Sequence, residues 1–439
     1  MVASFIVAQH YKREWSLMKK SVLGIVLVSV LIFTLCTAGG LAAPAVTITY
    51  WDFISYGGDD PRGKAMAENI ASFESKNPGI KVKVETVPYP QISSRLIQAT
   101  ATKKTPDVIR IQDMFLSLNV AAGTLAPLDA YARGHNWNDS LIPKKAVVFN
   151  KKIVAIPHDV RCPVLEYRAD LLQKKGLKVP QTWDELGKTG ALLSENGVSG
   201  FEMGLSRADL ASNLIETFTA MLWDAGGEVF DKNGRAAFNS KAGVKVVQTL
   251  YDLMFKYKAM SKESLGDTYN SIHQGLQSGT IAMGTLGTHR VNTVRIQGGL
   301  GDRLQTAPLP GFSRNKPATT LMFYFTLAMG SYPTDKEAAW KFIDFMTSRE
   351  AELRRAKAGE LPIRLSTYND PSCQGKEILM WKDYMAKHGR TFRYPEQWEQ
   401  FSVMFADTMQ KIMLKQSQIK PALDALAKEY NALAAQSGK

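Results

Sequence analysis

An α/β fold in two lobes, each a doubly wound sheet flanked by helices with a ligand cleft between the lobes, is predicted by three observations. The chain has 439 residues, 45% of them hydrophobic, and a single core stops growing near roughly 250–300 residues, so it should divide in two. Strand and helix patterns alternate from residue 46 to residue 111, as a doubly wound sheet requires. An apolar run at 153–156 is broken by polar residues between Pro157 and Pro163 and then resumes. Pro157 cannot donate a ladder hydrogen bond and Pro163 restricts the residue before it, so residues 158–162 read as a bend between two structural units, where a ligand would sit.

Residues 1–45 read as an N-terminal extension with an export signal. Lys19 and Lys20 precede an uncharged apolar run at 22–36, and a small-x-small site follows at 42–45. The run is shorter than the roughly 20 residues a spanning helix needs, which favours cleavage over anchoring. Met18 stands where such signals usually begin, and Leu35 before Cys36 argues against a lipoprotein. The expected location is therefore the periplasm. Losing residues 1–45 lowers the formal charge of +13 by three, to about +10. The Lys and Arg residues are scattered, with no RNA-binding aromatic signature, zinc-finger spacing or basic-zipper run, so a nucleic-acid partner is not expected. An anionic membrane surface or an acidic ligand is the more sensible electrostatic partner. Cys162 and Cys373 reach an oxidising compartment either as a disulfide or as two buried thiols.

The mature chain opens with an alternating strand at 46–51, then a Gly- and Asp-rich loop at 52–63 and a helix at 64–77. Pro78-Gly79 turns into a period-two strand at 80–84, and a helix at 90–102 leads to a strand at 106–111. After the bend, 165–167 feed a helix that Gly176 can end, and Thr182 to Glu185 form a capping box. The middle is helix-rich: a helix at 210–225 stops at Gly226-Gly227, and Ser240 caps another that runs through Lys256. The chain returns through 323–329, Thr334 to Glu337 cap a helix, and terminal helices fill 347–439, the last an amphipathic one at 421–435.

The passage around the bend resembles the family 1 extracellular solute-binding proteins of bacterial ABC importers, the maltose-binding-protein-like, sugar-type group. Pro157, Tyr167, Asp170, Leu171, Gly176, Leu177, Pro180, Thr182, Trp183, Glu185 and Leu186 fit that family's pattern, with Arg168 in place of the usual Asn. Phe73, Asn77, Pro78, Ile80 and Val82 fit it too, as do Gly123, Leu125, Pro127, Leu128 and Asp129 and the segment Phe238-Asn239-Ser240. The likeness spans essentially the whole mature chain. It implies a first lobe of 46–156 plus 310–346, a second of 157–309 plus 347–439, and three crossings between them.

The resemblance also implies a function: hinged capture of a mono- or oligosaccharide by a monomer that docks on the transmembrane subunits of an ABC permease, with no cofactor and no metal. In open α/β sheets ligands meet the carboxyl ends of strands, which selects the loop after Trp51, residues 112–114, residues 158–161 and residues 284–289. Candidate ligand contacts are Arg161 and His158 at the hinge, Asp113 after the third strand, and His289 where relatives place a stacking Trp. Tyr56 and Tyr89 lie in loops that reach the cleft in relatives, and Tyr324 and Arg364 lie near the return crossing. Trp223 and Trp398 are stacking candidates whose rival role is core filling. Arg161, Arg364 and the absent Trp at His289 keep an acidic or non-sugar solute in view. Enzymatic signatures are scarce, with no His-Glu-x-x-His helix, nucleophile elbow or Walker loop, so an enzyme is not expected. A periplasmic carbohydrate-active hydrolase is the remaining alternative.

Overall fold

The computed structural model describes residues 45–437 except 315 and 316. Among the described residues the strands are, in order, β1 (Val46–Asp52), β2 (Ile80–Thr86), β3 (Val108–Gln112), β4 (Val148–Phe149), β5 (Lys152–Ile153), β6 (Ile156–Arg161), β7 (Pro163–Arg168), β8 (Met283–Gly287), β9 (Leu304–Ala307), β10 (Thr320–Leu321), β11 (Phe323–Met329) and β12 (Gly389–Arg390). The first lobe is built on a five-stranded sheet of order β2-β1-β3-β11-β6. β1, β2 and β3 are parallel, joined by the crossover helices Pro61–Lys76 and Ile92–Ala101, while β11 returns antiparallel between β3 and β6. Apolar faces of the helices Pro61–Lys76 and Lys336–Met346 bury Phe73, Phe342, Ile343 and Met346 against Ile48 and Tyr50.

The second lobe departs from the expected doubly wound sheet. Its strands run β8-β7-β9, and β7 is antiparallel to both neighbours. Helices Trp183–Leu193, Ser212–Asp224, Lys241–Phe255 and Tyr269–Ser278 surround it, and the terminal helices Trp398–Met413 and Ile419–Ser437 add a layer through Phe405 on Phe218 and Phe401 on Phe238.

The first crossing also lies elsewhere than expected. Residues 156–161 are not a bend but β6, the edge strand of the first sheet, which runs through Cys162 straight into β7. Pro157 is tolerated because β6 is an edge, and the register with β11 shifts beside it, between Phe325 and Thr326. The expected lobe boundary after residue 156 thus falls at Cys162. Residues 347–373, expected in the second lobe, pack on the first. Asn69 donates to the carbonyl of Ala351, Arg354 donates to Asn69, and Leu361 bridges Val160.

Local chemistry explains the element ends. Thr182 and Ser240 accept from the N–H groups of Glu185 and Gly243 at their helix starts, and Asp335 from that of Ala338. Gly176 has φ 63°, a left-handed conformation that a glycine adopts without steric cost. The export signal expected at 1–45 lies, apart from Ala45, outside the described residues. Among the described residues no helix is long and apolar enough to cross a membrane.

Cys162 and Cys373 are both buried and free, which decides between the two expectations. Alkylation of the denatured, unreduced protein followed by peptide mapping should label both Cys162 and Cys373; a disulfide-linked peptide pair would contradict this arrangement.

Candidate functional site

Strand ends at one edge of the first sheet supply one wall of a cavity, and loops and helix starts of the second lobe supply the other. Phe53 follows β1, Gln112 ends β3, Arg161 ends β6, and Phe323 and Phe325 open β11. Arg62 and Tyr89 join them from the first turns of the following helices. Across the gap stand Asp209, Ser212 and Glu216, then Tyr269 and Asn270, then His289 and Arg290 after β8. The cavity, open on one side, has a volume of ≈ 260 Å³, just below that of small-molecule sites, which run from about 300 Å³ upward.

Beneath this cavity lies a buried charge network. Arg110 Nη2 donates to Asp159 Oδ2 at 2.6 Å and to Glu360 Oε1 at 2.6 Å, and Arg110 Nη1 lies 3.7 Å from Asp52 Oδ2. Asp159 Oδ1 accepts from Arg161 Nε at 2.9 Å, and Arg355 Nη2 donates to the His158 carbonyl at 2.9 Å. Every side chain here is at most 6% exposed. Burial opposes ionisation of Asp159, but the Arg161 and Arg110 guanidiniums outweigh it and hold its carboxyl well below the usual range. His158, Asp159 and Glu360 bring ligand atoms within 4.8 Å of one another, the spacing of a metal site. Arginines already supply the cations there, and burial with the field of Arg355 lowers the His158 pKa to about 3. The neutral ring puts Nδ1 3.2 Å from Asp159 Oδ2.

The network orients Arg161. Its Nε is held by Asp159 and its guanidinium lies 4.4 Å from the centre of the Phe325 ring, while buried Nη2 has no hydrogen-bond partner. Opposite, burial raises the Glu216 pKa to about 8 against the hydrogen bond from Tyr269 and the fields of Arg161 and Arg290. Glu216 is therefore a neutral acid at pH 7, and Tyr269 O–H donates to it. Burial, with Arg161 and Arg290 added, also holds His289 well below its ordinary pKa, so it is neutral too. Tyr89 O–H donates to Gln112 Oε1 at 2.5 Å, fixing that amide at the end of β3.

Of the ten residues expected at the site, Arg161, His289 and Tyr89 line the cavity. The others do not, each for a visible reason. Tyr324 misses by one position. Strand side chains alternate, so Phe323 and Phe325 face the cavity while the Tyr324 hydroxyl donates to the Ala146 carbonyl. His158 is likewise on the opposite side of β6 from Arg161's neighbours and belongs to the buried network. Asp113 is 3% exposed, and burial pushes its carboxyl well above the usual range. Trp223 and Trp398 fill the core: the first donates to Glu228 under the Arg390 guanidinium, and the second packs among Phe392, Tyr394 and Phe401. Arg364 donates to the Thr347 carbonyl and faces Asp139. Tyr56 is 49% exposed on the surface and lies outside the lining.

The strand-end rule already selected the loop after Trp51, which holds Phe53, and it selected Gln112. Arg62 falls in the same selected loop, while sequence reading missed Glu216, Tyr269 and Arg290. Only Arg290, next to His289, carried a usable signal; the others sit in ordinary helical turns. Residues 209–211 also escaped notice, yet they adopt three successive positive φ angles of 51°, 57° and 54° without a glycine among them. Left-handed backbone costs an L-residue roughly 1–2 kcal/mol, and here that strain is held at the cavity rim, leading into the helix Ser212–Asp224.

With this geometry in place, the comparisons with known proteins are decisive at the level of family. The family model for bacterial extracellular solute-binding proteins matches residues 57–353. The chain belongs to that family. A binding protein of Brucella abortus is 22% identical over 378 residues, covering 83% of this chain and 89% of its own. Maltose-bound MalE3 of T. maritima superimposes with a TM-score of 0.78 at 24% identity, over 89% of this chain and 100% of that one. UgpB from Mycobacterium tuberculosis, in complex with glycerophosphocholine, does so with a TM-score of 0.77 at 21% identity, over 90% and 100%. The two solved structures share this chain's two-lobe fold, and this solute-binding protein is of the ABC-transporter kind.

Two measurements check the electrostatics. Removing Arg110 as Arg110→Met leaves Asp159 and Glu360 buried with their shared donor gone, and should cost about 3–5 kcal/mol in urea unfolding; a loss under about 1 kcal/mol would show that the network does not depend on it. A carboxyl whose folded pKa is raised stabilises the fold below its unfolded value and loses that contribution as pH climbs through the folded one. Relative to Glu216→Gln, the unsubstituted protein should therefore lose up to ~1.4 kcal/mol per pH unit between the ordinary carboxyl range and about 8. A difference independent of pH would place Glu216 among ordinary ionised carboxylates.

Proposed function

We propose that this protein captures a small polyhydroxylated solute of the carbohydrate class between its lobes in the periplasm and, as a monomer, delivers it to an ABC permease without chemically changing it. The observation that carries this is the composition of the interlobe cavity. Phe53, Tyr89, Phe323, Phe325 and Tyr269 offer apolar faces suited to C–H-rich rings, while Gln112, Asn270, Ser212, Asp209 and Arg161 offer hydrogen bonds to hydroxyls. A volume of ≈ 260 Å³ suits one sugar or polyol unit better than a long oligosaccharide. The maltose complex of MalE3 supports the same class.

Capture follows from the division of the lining. One lobe alone presents only half of the contacts, so a bound solute stabilises the closed form by interactions absent from the open one. The consecutive strands β6 and β7, one in each sheet and joined at Cys162, are one of the connections that must flex. Closure then presents a single surface formed from both lobes for the permease to read.

Titration calorimetry of the protein against a carbohydrate panel, with mass spectrometry of any co-purified ligand, tests the reading. A monosaccharide or polyol derivative should bind without turnover, and scattering should show the molecule contracting. Arg161→Ala should weaken binding at least about 10-fold, the equivalent of roughly 1.4 kcal/mol. Hydrolysis of the bound compound, or a co-purified ligand with no hydroxyl-rich portion, would overturn it.

A further inference from the structure

We propose that the captured solute carries an oxyanion, a carboxylate or a phosphate, taken by Arg161 and Arg290 from the two sides of the cavity. This rests on the reading of the interlobe cavity as the solute site and narrows the class it accepts.

The cationic side of the cavity is incompletely paired. Arg161 is 4% exposed, and its Nη2 lies 3.6 Å from Glu360 Oε1, close enough for an ion pair but without a hydrogen-bond partner. Burying an unsatisfied guanidinium N–H is costly unless something completes it. Arg290 also has a buried Nε with no partner, and its guanidinium rests 5.7 Å from the centre of the Tyr269 ring without an ion pair to a described carboxylate at close range. Arg62 adds a third guanidinium, already engaged by Asp60 at 2.6 Å. Burial is the largest effect against the charge of Arg161 and of Arg290; Arg62 and Arg161 add to it on Arg290, whereas on Arg161 the field of Arg62 is the smaller one beside those of Asp159 and Glu360. An oxyanion among them would relieve that repulsion and accept the open donors, in the planar geometry guanidinium prefers.

The carboxylates do not cancel this charge. Glu216 is a neutral acid held by Tyr269, Asp159 is shared between Arg161 and Arg110, and Glu360, 3.6 Å from Arg161 Nη2, accepts its hydrogen bond from Arg110 instead. Asp209 at the rim is the one acidic lining residue left to offset Arg290. Backbone dipoles act in the same sense. The helices Pro61–Lys76, Ser212–Asp224 and Tyr269–Ser278 all place first-turn residues in the lining, Arg62, Ser212, Tyr269 and Asn270, and the second of these helices has no side-chain cap on its N-terminal N–H groups. Helix N-termini favour negative charge. A neutral sugar could accept hydrogen bonds from these groups but would leave their positive charge uncompensated.

Calorimetry with matched probes separates the cases: D-glucuronate against D-glucose, and sn-glycerol 3-phosphate against glycerol, at low and moderate salt. At least one anion should bind at least about 10-fold more tightly than its neutral counterpart, with affinity falling as salt rises. The preferred pair tells carboxylate from phosphate. Arg290→Gln should reduce the anion preference about 10- to 100-fold; it breaks no buried ion pair, so it avoids the folding risk of changing Arg161. Equal binding of neutral and charged partners, or an anion preference unchanged in Arg290→Gln, would overturn the inference while leaving carbohydrate capture intact. Failure of every polyol to bind, charged or neutral, would overturn both.

Discussion

The fork of Arg110 between Asp159 and Glu360 is the interaction on which the rest of this molecule depends. It ties the middle of the first sheet to its edge strand β6 and to the segment after the helix Arg349–Lys357. The first of these leads directly through Cys162 into the second lobe, and the other packs beside it on the first lobe. Charges this deep are tolerated because each has hydrogen-bonded partners of opposite sign, and the desolvation they suffer makes any missing partner expensive. Such a network gains little net stability over a well-packed apolar core, but it fixes direction. Asp159 aims Arg161 along the face of Phe325 and out into the cavity.

Direction matters because the cavity is assembled from pieces far apart in sequence. β1, β3 and β6 contribute through their carboxyl ends, β11 through its first residues because it runs the other way, and the second lobe through the turns at 209–212, 269–270 and 289–290. A parallel sheet with its crossover helices collects loops and helix starts on one side, where backbone N–H groups and their dipoles point inward. The left-handed run at 209–211 lies on that rim. Strained backbone is held where surrounding packing over-determines it, and here the buried face of the helix Ser212–Asp224 supplies that packing.

Much of the architecture was legible from residue patterns. The period-two strand at 80–84, the helices behind Phe73 and Phe342, and the caps Thr182, Ser240 and Asp335 all lie where hydrophobic periodicity and capping chemistry put them. Misjudgement centred on proline. Pro157 read as the end of a strand, yet an edge strand leaves one row of N–H groups unpaired, so a proline there loses nothing. The antiparallel core of the second lobe was likewise hidden, because β7, β8 and β9 are separated by long helical insertions and nothing local records which way they run.

By itself, then, the sequence determined the strand and helix inventory of the first lobe, the existence of a crossing near residues 157–163, and Arg161, His289 and Tyr89 as cleft residues. All but Tyr89 follow from local periodicity, from chain-stiffening prolines, or from position at a strand end; Tyr89 came from the family resemblance. Only the tertiary structure decided that Tyr324 turns away while Phe323 and Phe325 turn in, that Trp223 and Trp398 are core, and that Glu216 and Tyr269 face Arg161 across the gap. The reason is physical. A strand one residue out of register reverses every side chain, and a carboxyl becomes a neutral acid only through burial and neighbours contributed by other elements, neither of which a linear sequence displays.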